Sequence, residues 1–292
     1  MPEFLKKILW ATDFSDESQN AFVYAEAFAK TFGAELIACH VVPGFSPEHY
    51  QSAIVVIEEL NKKQEHMKTV AAERLKAFRK SMNVQFEYLI REGNAAKEII
   101  AAAEEERVDL IVIGKKGLSA IERLFIGSVA NHVLRHSPVP VLMTKKKPGK
   151  PKFKKILVPT DFSEREDEER DTAWKLAKAF DADITLLHVL ELHDYEFAPR
   201  VLEEMLDSVL AKMKQRKRRE KEDIKVKEEV YRAINAAVGI VDYADTQKSD
   251  LIVISTCTQS KVERFFLGST TEKVISYSHI PVFAIPPSEC KD

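Results

Sequence analysis

Long hydrophobic runs are missing from this chain. Its densest apolar stretches, such as Leu110-Ile111-Val112-Ile113 and Leu251-Ile252-Val253-Ile254, are strand-sized and far below the roughly 20 residues that span a bilayer. The opening residues lack the apolar region of a secretion signal, so a cytoplasmic protein without membrane partners is expected. Cysteine is scarce: Cys39, Cys257 and Cys290 are the only three. They form no close pair, and the first two fall in or beside predicted strands, which argues against a disulfide framework or a zinc site. An excess of charge of one sign is also absent. The 44 basic and 46 acidic residues leave a formal charge of −2, too little to draw nucleic acid or a membrane as principal partner. No G-x-x-x-x-G-K-[ST] occurs, and no G-x-G-x-x-G follows a first strand, so by motif the chain is neither a P-loop protein nor a dinucleotide binder. No Ser-His-Asp spacing or carboxylate pair marks a hydrolase.

What is present is a repeat. Ile8-Leu9-Trp10-Ala11-Thr12-Asp13-Phe14-Ser15 returns as Ile156-Leu157-Val158-Pro159-Thr160-Asp161-Phe162-Ser163. His40-Val41 is answered by His188-Val189, Asp109 to Ile113 by Asp250 to Ile254, and Gly127-Ser128 by Gly268-Ser269. A length of 292 residues suits two domains of ordinary size. The charged, Pro- and Gly-containing stretch around Pro148 reads as a solvated linker, dividing the chain into domains 1–147 and 148–292.

In the first copy, short β-rich runs at 8–10, 36–42, 85–90, 110–113 and 139–143 alternate with helical patterns, the signature of a parallel sheet. Ala21, Phe22, Ala25, Phe28, Ala29 and Phe32 recur at helical spacing, with Ser15 as N-cap and Gly33 as stop; Ser163 and Glu166 have capping-box spacing in the second copy. Strands apolar on both faces imply a doubly wound, Rossmann-like fold with five parallel strands per copy and right-handed crossovers.

In such sheets ligands settle beyond the carboxyl ends of the strands, where strand order reverses. Two features converge there. Thr12-Asp13 follows the first strand, and Asp13 either receives a ribose hydroxyl or caps the following turn. After the fourth strand come Gly114-Lys115-Lys116-Gly117 and then, nine residues on, Gly127-Ser128 at the head of a helix. Glycine amides, a hydroxyl and a free helix N-terminus would suit phosphate; the plainer reading is that these glycines turn the chain and cap a helix.

The spacing Gly114-x2-Gly117-x9-Gly127-Ser128, the Thr12-Asp13 pair and the His40-Val41-Val42 strand end resemble the ATP-binding members of the universal stress protein family, once per copy over nearly the whole chain. Ala11 stands where proline is often found, and Pro159 keeps that proline in the second copy. The resemblance implies two adenine-nucleotide alpha-hydrolase-like domains. It also implies ATP as ligand, with magnesium or manganese beside the phosphates near Asp13 or Ser128. By the same resemblance Asp13 contacts ribose, the backbone near Thr12 and Val41 contacts adenine, and Gly114, Gly117, Gly127, Ser128 and Val129 contact phosphate. It further implies an intrachain pseudo-dimer formed in part through the last strands, 139–143 and 282–285, with a homodimer and an unidentified protein partner beyond it. The expected role is a nucleotide-dependent stress-response regulator rather than a fast enzyme. The alternatives are a slow ATPase or adenylyl-transferring enzyme in the same pocket, and an adaptor that binds no nucleotide.

The copies differ where it matters. Ser255 and Thr258 stand for Gly114 and Gly117, and Ile234 for Gly93. If both glycines need φ above zero, each replacement costs about 1–2 kcal/mol, and the second site is expected to be weak or empty; otherwise a different local backbone accommodates them and their hydroxyls replace lost amide contacts. The basic run from Lys212 to Lys221, flanked by Glu203, Glu204, Glu222 and Asp223 and without aromatics, reads as a solvated helix face or docking surface rather than a nucleic-acid site. His40 and His188 are expected to bond locally.

Overall fold

The computed structural model describes residues 4–44, 54–82, 84–115, 126–145, 151–162, 166–191, 199–217, 224–256 and 267–286. The chain forms two compact units, Glu3–Val141 and Leu142–Asp292. Its first copy runs β1 (Lys7–Ala11), α1 (Asp16–Phe32), β2 (Glu35–Pro43), α2 (Ile54–Met82), β3 (Glu87–Gly93), α3 (Ala95–Glu105), β4 (Leu110–Gly114), α4 (Ser128–His136) and β5 (Val141–Thr144). The second runs β6 (Lys155–Pro159), α5 (Glu166–Phe180), β7 (Asp183–Glu191), α6 (Pro199–Lys217), β8 (Val226–Ala233), α7 (Ala236–Thr246), β9 (Leu251–Ser255), α8 (Ser269–Tyr277) and β10 (Val282–Ile285). The alternation of strand and helix read from the repeat is therefore present in both copies. Among the described residues no helix is long and apolar enough to cross a membrane.

In the first unit β3, β2, β1 and β4 lie side by side and parallel. The second unit repeats this as β8-β7-β6-β9-β10, all parallel. Chain direction across the sheet reverses between β1 and β4, and between β6 and β9. Right-handed crossovers then place α1 and α2 on one face and α3 and α4 on the other, which explains why β4 reads Leu-Ile-Val-Ile and is buried throughout.

Local chemistry sets the ends of the elements. The Ser15 side chain accepts the Ser18 N–H and Gly33 takes a left-handed φ of 67°, the cap and stop expected of α1. Ser163 lies outside the described residues. Asn94 and Asn235 cap α3 and α7 through the amides of Lys97 and Val238. One carboxylate in each copy ties the sheet at its amino end: Asp109 Oδ2 accepts the amides of Lys6 and Lys7, and Asp250 Oδ2 those of Lys154 and Lys155.

Under α1 the first unit has an aromatic core in which Trp10, Phe22, Phe78 and Phe86 pack with ring centroids 4.9–6.5 Å apart. The buried Trp10 indole also donates to the carbonyl of Ser18 at 2.7 Å, satisfying its polar atom while holding the first turn of α1 against β1.

Candidate functional site

A cavity of about 120 Å³ opens at the carboxyl ends of β1 and β4, where strand order reverses. Its lining brings together Thr12, Asp13 and Val41 with Gly114, Gly127, Ser128 and Val129, seven of the eight residues singled out from the sequence. The eighth, Gly117, lies outside the described residues, as does Lys116. Further walls come from Ala11, Ser18, Cys39, Ala95, Ile99, Ile113 and Ala130, which sequence reasoning missed. Most are ordinary core residue types, and Ala95 and Ile99 arrive only through the crossover that lays α3 beside β2 and α4.

The expected left-handed backbone at the first glycine is not found. Positive-φ glycines among the described residues are Gly33 and Gly93. Gly114 is required for a different reason. A Cβ there would stand 3.0 Å from the carbonyl carbon and oxygen of Glu17 and 3.2 Å from the Ser18 nitrogen, so the missing side chain lets α1 dock on the end of β4. The glycine before α4 behaves differently again. Gly127 has φ −60° and ψ 150°, and its N–H donates to the Lys115 carbonyl at 2.8 Å. That bond closes the loop between β4 and α4, so the Gly127 amide is spent internally. Lys115 itself is buried, unlike an exposed lysine screening phosphate charge.

Anion-binding capacity lies one residue further on. α4 begins at Ser128 with no side-chain cap bond, so the N–H groups of its first turn, on Ser128, Val129 and Ala130, have no acceptor within the helix. They sit on the cavity wall together with the Ser128 hydroxyl, at the positive end of the helix dipole.

Asp13 combines its two readings. Its Oδ1 accepts the Ser15 N–H at 3.0 Å and the Ser15 hydroxyl at 2.5 Å, which makes it a capping residue of the turn into α1, and it also lines the cavity. Thr12 is more committed than expected. Its N–H donates to Cys39 O at 2.9 Å, its hydroxyl meets Ser18 Oγ at 3.0 Å, and its carbonyl pairs with His40 Nδ1 at 2.8 Å. The Thr12 amide can therefore reach a ligand only by giving up a sheet-end hydrogen bond.

His40 bonds locally, as expected. Its ring packs on Phe14 at 4.5 Å, with the Arg74 guanidinium also over the Phe14 ring at 4.2 Å. Burial lowers its pKa, with Arg74 adding a smaller push the same way and the Thr12 carbonyl and Asp13 opposing. The stack recurs in the second unit, where His188 pairs with Thr160 O at 2.9 Å, packs on Phe162 at 4.6 Å, and Lys212 lies over that ring. Phe14 and Phe162 share φ values of 63° and 61°, so the stack secures a strained turn in each copy. Lys212 thereby has a local packing role; residues 218–223 of the basic run lie outside the described residues. Cys39 is buried, which pushes its thiol up to about 12 and keeps it an unreactive wall residue; Cys257 and Cys290 lie outside the described residues.

At the matching position of the second unit Ser255 replaces Gly114, and its N–H donates to Glu169 Oε1 at 2.8 Å. Its carbonyl accepts the Thr271 hydroxyl at 2.8 Å. The loop closure is kept, from Gly268 N–H to Thr256 O at 3.1 Å. Thr258 lies outside the described residues.

Comparison with known proteins agrees with the repeat. The profile of the universal stress protein family matches twice, over residues 5–145 and 152–286. Universal stress protein MJ0531 of Methanocaldococcus jannaschii is 36% identical over 143 residues, which is 48% of this chain and 82% of that protein. A universal stress protein of Thermus aquaticus is 34% identical over 143 residues, 48% of this chain and 98% of its own length. The crystal structure of a universal stress protein from Archaeoglobus fulgidus superposes with a TM-score of 0.64 at 25% identity and covers 97% of both chains. With the family profile met once in each copy, this chain belongs to the universal stress protein family, in a tandem form with two such domains.

Proposed function

We propose that the first unit binds an adenine nucleotide, ATP, in the cavity between β1 and β4, and that the protein is a nucleotide-dependent regulator of a stress response. One observation carries this reading: the uncapped first turn of α4 and the Asp13 carboxylate line the same cavity, whose remaining wall is mostly apolar. Ala11, Val41, Ile99 and Ile113 suit a flat base, Asp13 suits a ribose hydroxyl, and the amides of Ser128 to Ala130 suit phosphate. The donor set also fits a magnesium or manganese ion. Asp13 and Ser128 offer a carboxylate and a hydroxyl, and such an ion keeps most of its coordination for phosphate and water.

A regulator is favoured over an enzyme because the two side chains nearest to serving as a base are already committed to holding the fold. Asp13 is tied to Ser15 and His40 to Thr12, so neither is poised as a general base. Occupancy would act by favouring one conformation over another. The test is to incubate stripped protein with ATP and magnesium, recover the bound nucleotide and quantify it. Intact ATP at one per chain after hours supports a binder; steady release of ADP and phosphate points to a slow ATPase, and no retained nucleotide to an adaptor.

A further inference from the structure

Phenylalanine stands where the chain turns left-handed, and it does so in both units. Phe14 has φ 63° and Phe162 φ 61°, a region open to glycine and, less readily, to asparagine. A bulky residue persists there only where its surroundings over-determine it. In the first unit they do. The Phe14 N–H donates to Thr12 Oγ1 at 3.1 Å, and its carbonyl takes the Gln19 side-chain amide at 3.1 Å. Its ring packs against His40 at 4.5 Å and the Arg74 guanidinium lies over the same ring at 4.2 Å. His40 Nδ1 in turn pairs with the Thr12 carbonyl at 2.8 Å. The residue enclosed by these contacts is Asp13. The chain on either side of it is fixed, Thr12 to β2 through Cys39 O and Ser15 to α1 as its cap. The Asp13 carboxylate belongs to a residue that lines the cavity, whereas Phe14 and His40 do not line it.

We propose that Phe14 and His40 are positioning residues of the nucleotide site: their stack holds the turn that presents Asp13, and thereby sets a preference for ribose over deoxyribose. The inference rests on the nucleotide reading above and adds the means by which the sugar is chosen. A carboxylate distinguishes a hydroxyl from a hydrogen only while it is held where the hydroxyl arrives; a loose one spends part of the hydrogen bond on its own ordering. Ser15 supplies half of that hold, tying Asp13 Oδ1 to the start of α1. The path of the backbone from strand to helix is set by Phe14, the left-handed residue between Asp13 and Ser15, and the stack keeps it there. The second unit repeats the turn. The Phe162 N–H donates to Thr160 Oγ1 at 3.1 Å, His188 pairs with Thr160 O at 2.9 Å, and the two rings lie 4.6 Å apart. There Asp161 is exposed and Ser255 stands in the place of Gly114, so the second turn serves as an internal control for the first.

The test compares the affinities of the stripped full chain for ATP, 2′-deoxy-ATP and 3′-deoxy-ATP. The wild type is expected to bind one of the deoxy analogues about tenfold or more weakly than ATP, the loss of a hydrogen bond to a charged group. In Phe14→Asn, which keeps the left-handed turn accessible and removes the ring, that ratio should fall to within about threefold of one, through weaker ATP binding with the deoxy analogues little changed. Arg74→Gln, a change at an exposed residue, should lower the ratio by about two- to fivefold, and it decides the matter should Phe14→Asn not fold. Phe162→Asn should leave the ratio as in the wild type. Equal weakening of all three nucleotides in Phe14→Asn, the result of a merely structural role, overturns the proposal, as does a ratio that Phe14→Asn and Arg74→Gln leave unchanged. A wild type that binds ATP and both deoxy analogues alike overturns it while nucleotide binding stands, and a wild type that binds none of them overturns both.

Discussion

Gly114 and Glu17 meet backbone to backbone: a Cβ on Gly114 would stand 3.0 Å from the Glu17 carbonyl carbon and oxygen. This contact, more than any left-handed dihedral, sets the geometry of the site, because it fixes where α1 starts relative to the cavity. Gly114→Ala should destabilise the first unit by about 1–3 kcal/mol through overpacking against rigid backbone. Ser255→Gly should not show that overpacking cost. Denaturant titration of the two variants checks the asymmetry.

The aromatic core under α1 includes a position that the second unit fills with a charged residue. Phe22 is fully buried among Trp10, Phe78 and Phe86, while Arg170 occupies its place in the second. Phe22→Ala should cost about 3–5 kcal/mol and shift the fluorescence of Trp10, with the unfolding of the first unit moving to lower denaturant. An unchanged transition would mean that the ring cluster contributes little.

His40 gives the first unit a pH dependence whose sign follows from its lowered pKa. The unfolded chain binds a proton as pH falls through about 6.5, whereas the folded His40 resists until lower pH. Stability is therefore present above 6.5 and is lost on acidification down to the folded pKa. His40→Gln, whose amide can still donate to Thr12 O, should flatten that part of the profile; parallel profiles for the two proteins between pH 7 and 5 would contradict the assignment.

Much of this architecture was legible in the sequence, and the reasons are local. The repeat, the fully apolar β4 and β9, and the Ser15 cap with the Gly33 stop depend on neighbours in the chain, so spacing alone reveals them. Thr12, Asp13 and Ser128 were legible for the same reason, each following a strand or heading a helix. What escaped were relations across the fold. Ile99 and Ala95 become walls only after α3 crosses back over the sheet. Gly114 looked like a turn residue because the backbone it touches is some 97 positions away. Glu169 drew no reading from the sequence, because its partner, the Ser255 amide, lies 86 positions on.

The helix caps offer a further check on the symmetry of the copies. Asn94 Oδ1 accepts the Lys97 amide at 3.2 Å and Asn235 Oδ1 the Val238 amide at 3.0 Å. Replacing either with alanine should cost about 1 kcal/mol. Similar losses are expected in the two units, since the caps match although the sites do not.

The central claim, nucleotide binding by the uncapped α4 of the first unit, is tested most directly by calorimetric titration of stripped protein with ATP and magnesium, on wild type and Ser128→Asp. A carboxylate at the start of α4 favours the helix by about 0.3–1 kcal/mol while placing negative charge where phosphate would sit, so loss of binding cannot be ascribed to unfolding. One site per chain in the wild type, lost in a variant that melts no earlier, is the predicted result; unchanged affinity in Ser128→Asp, or no binding by the wild type, would contradict it.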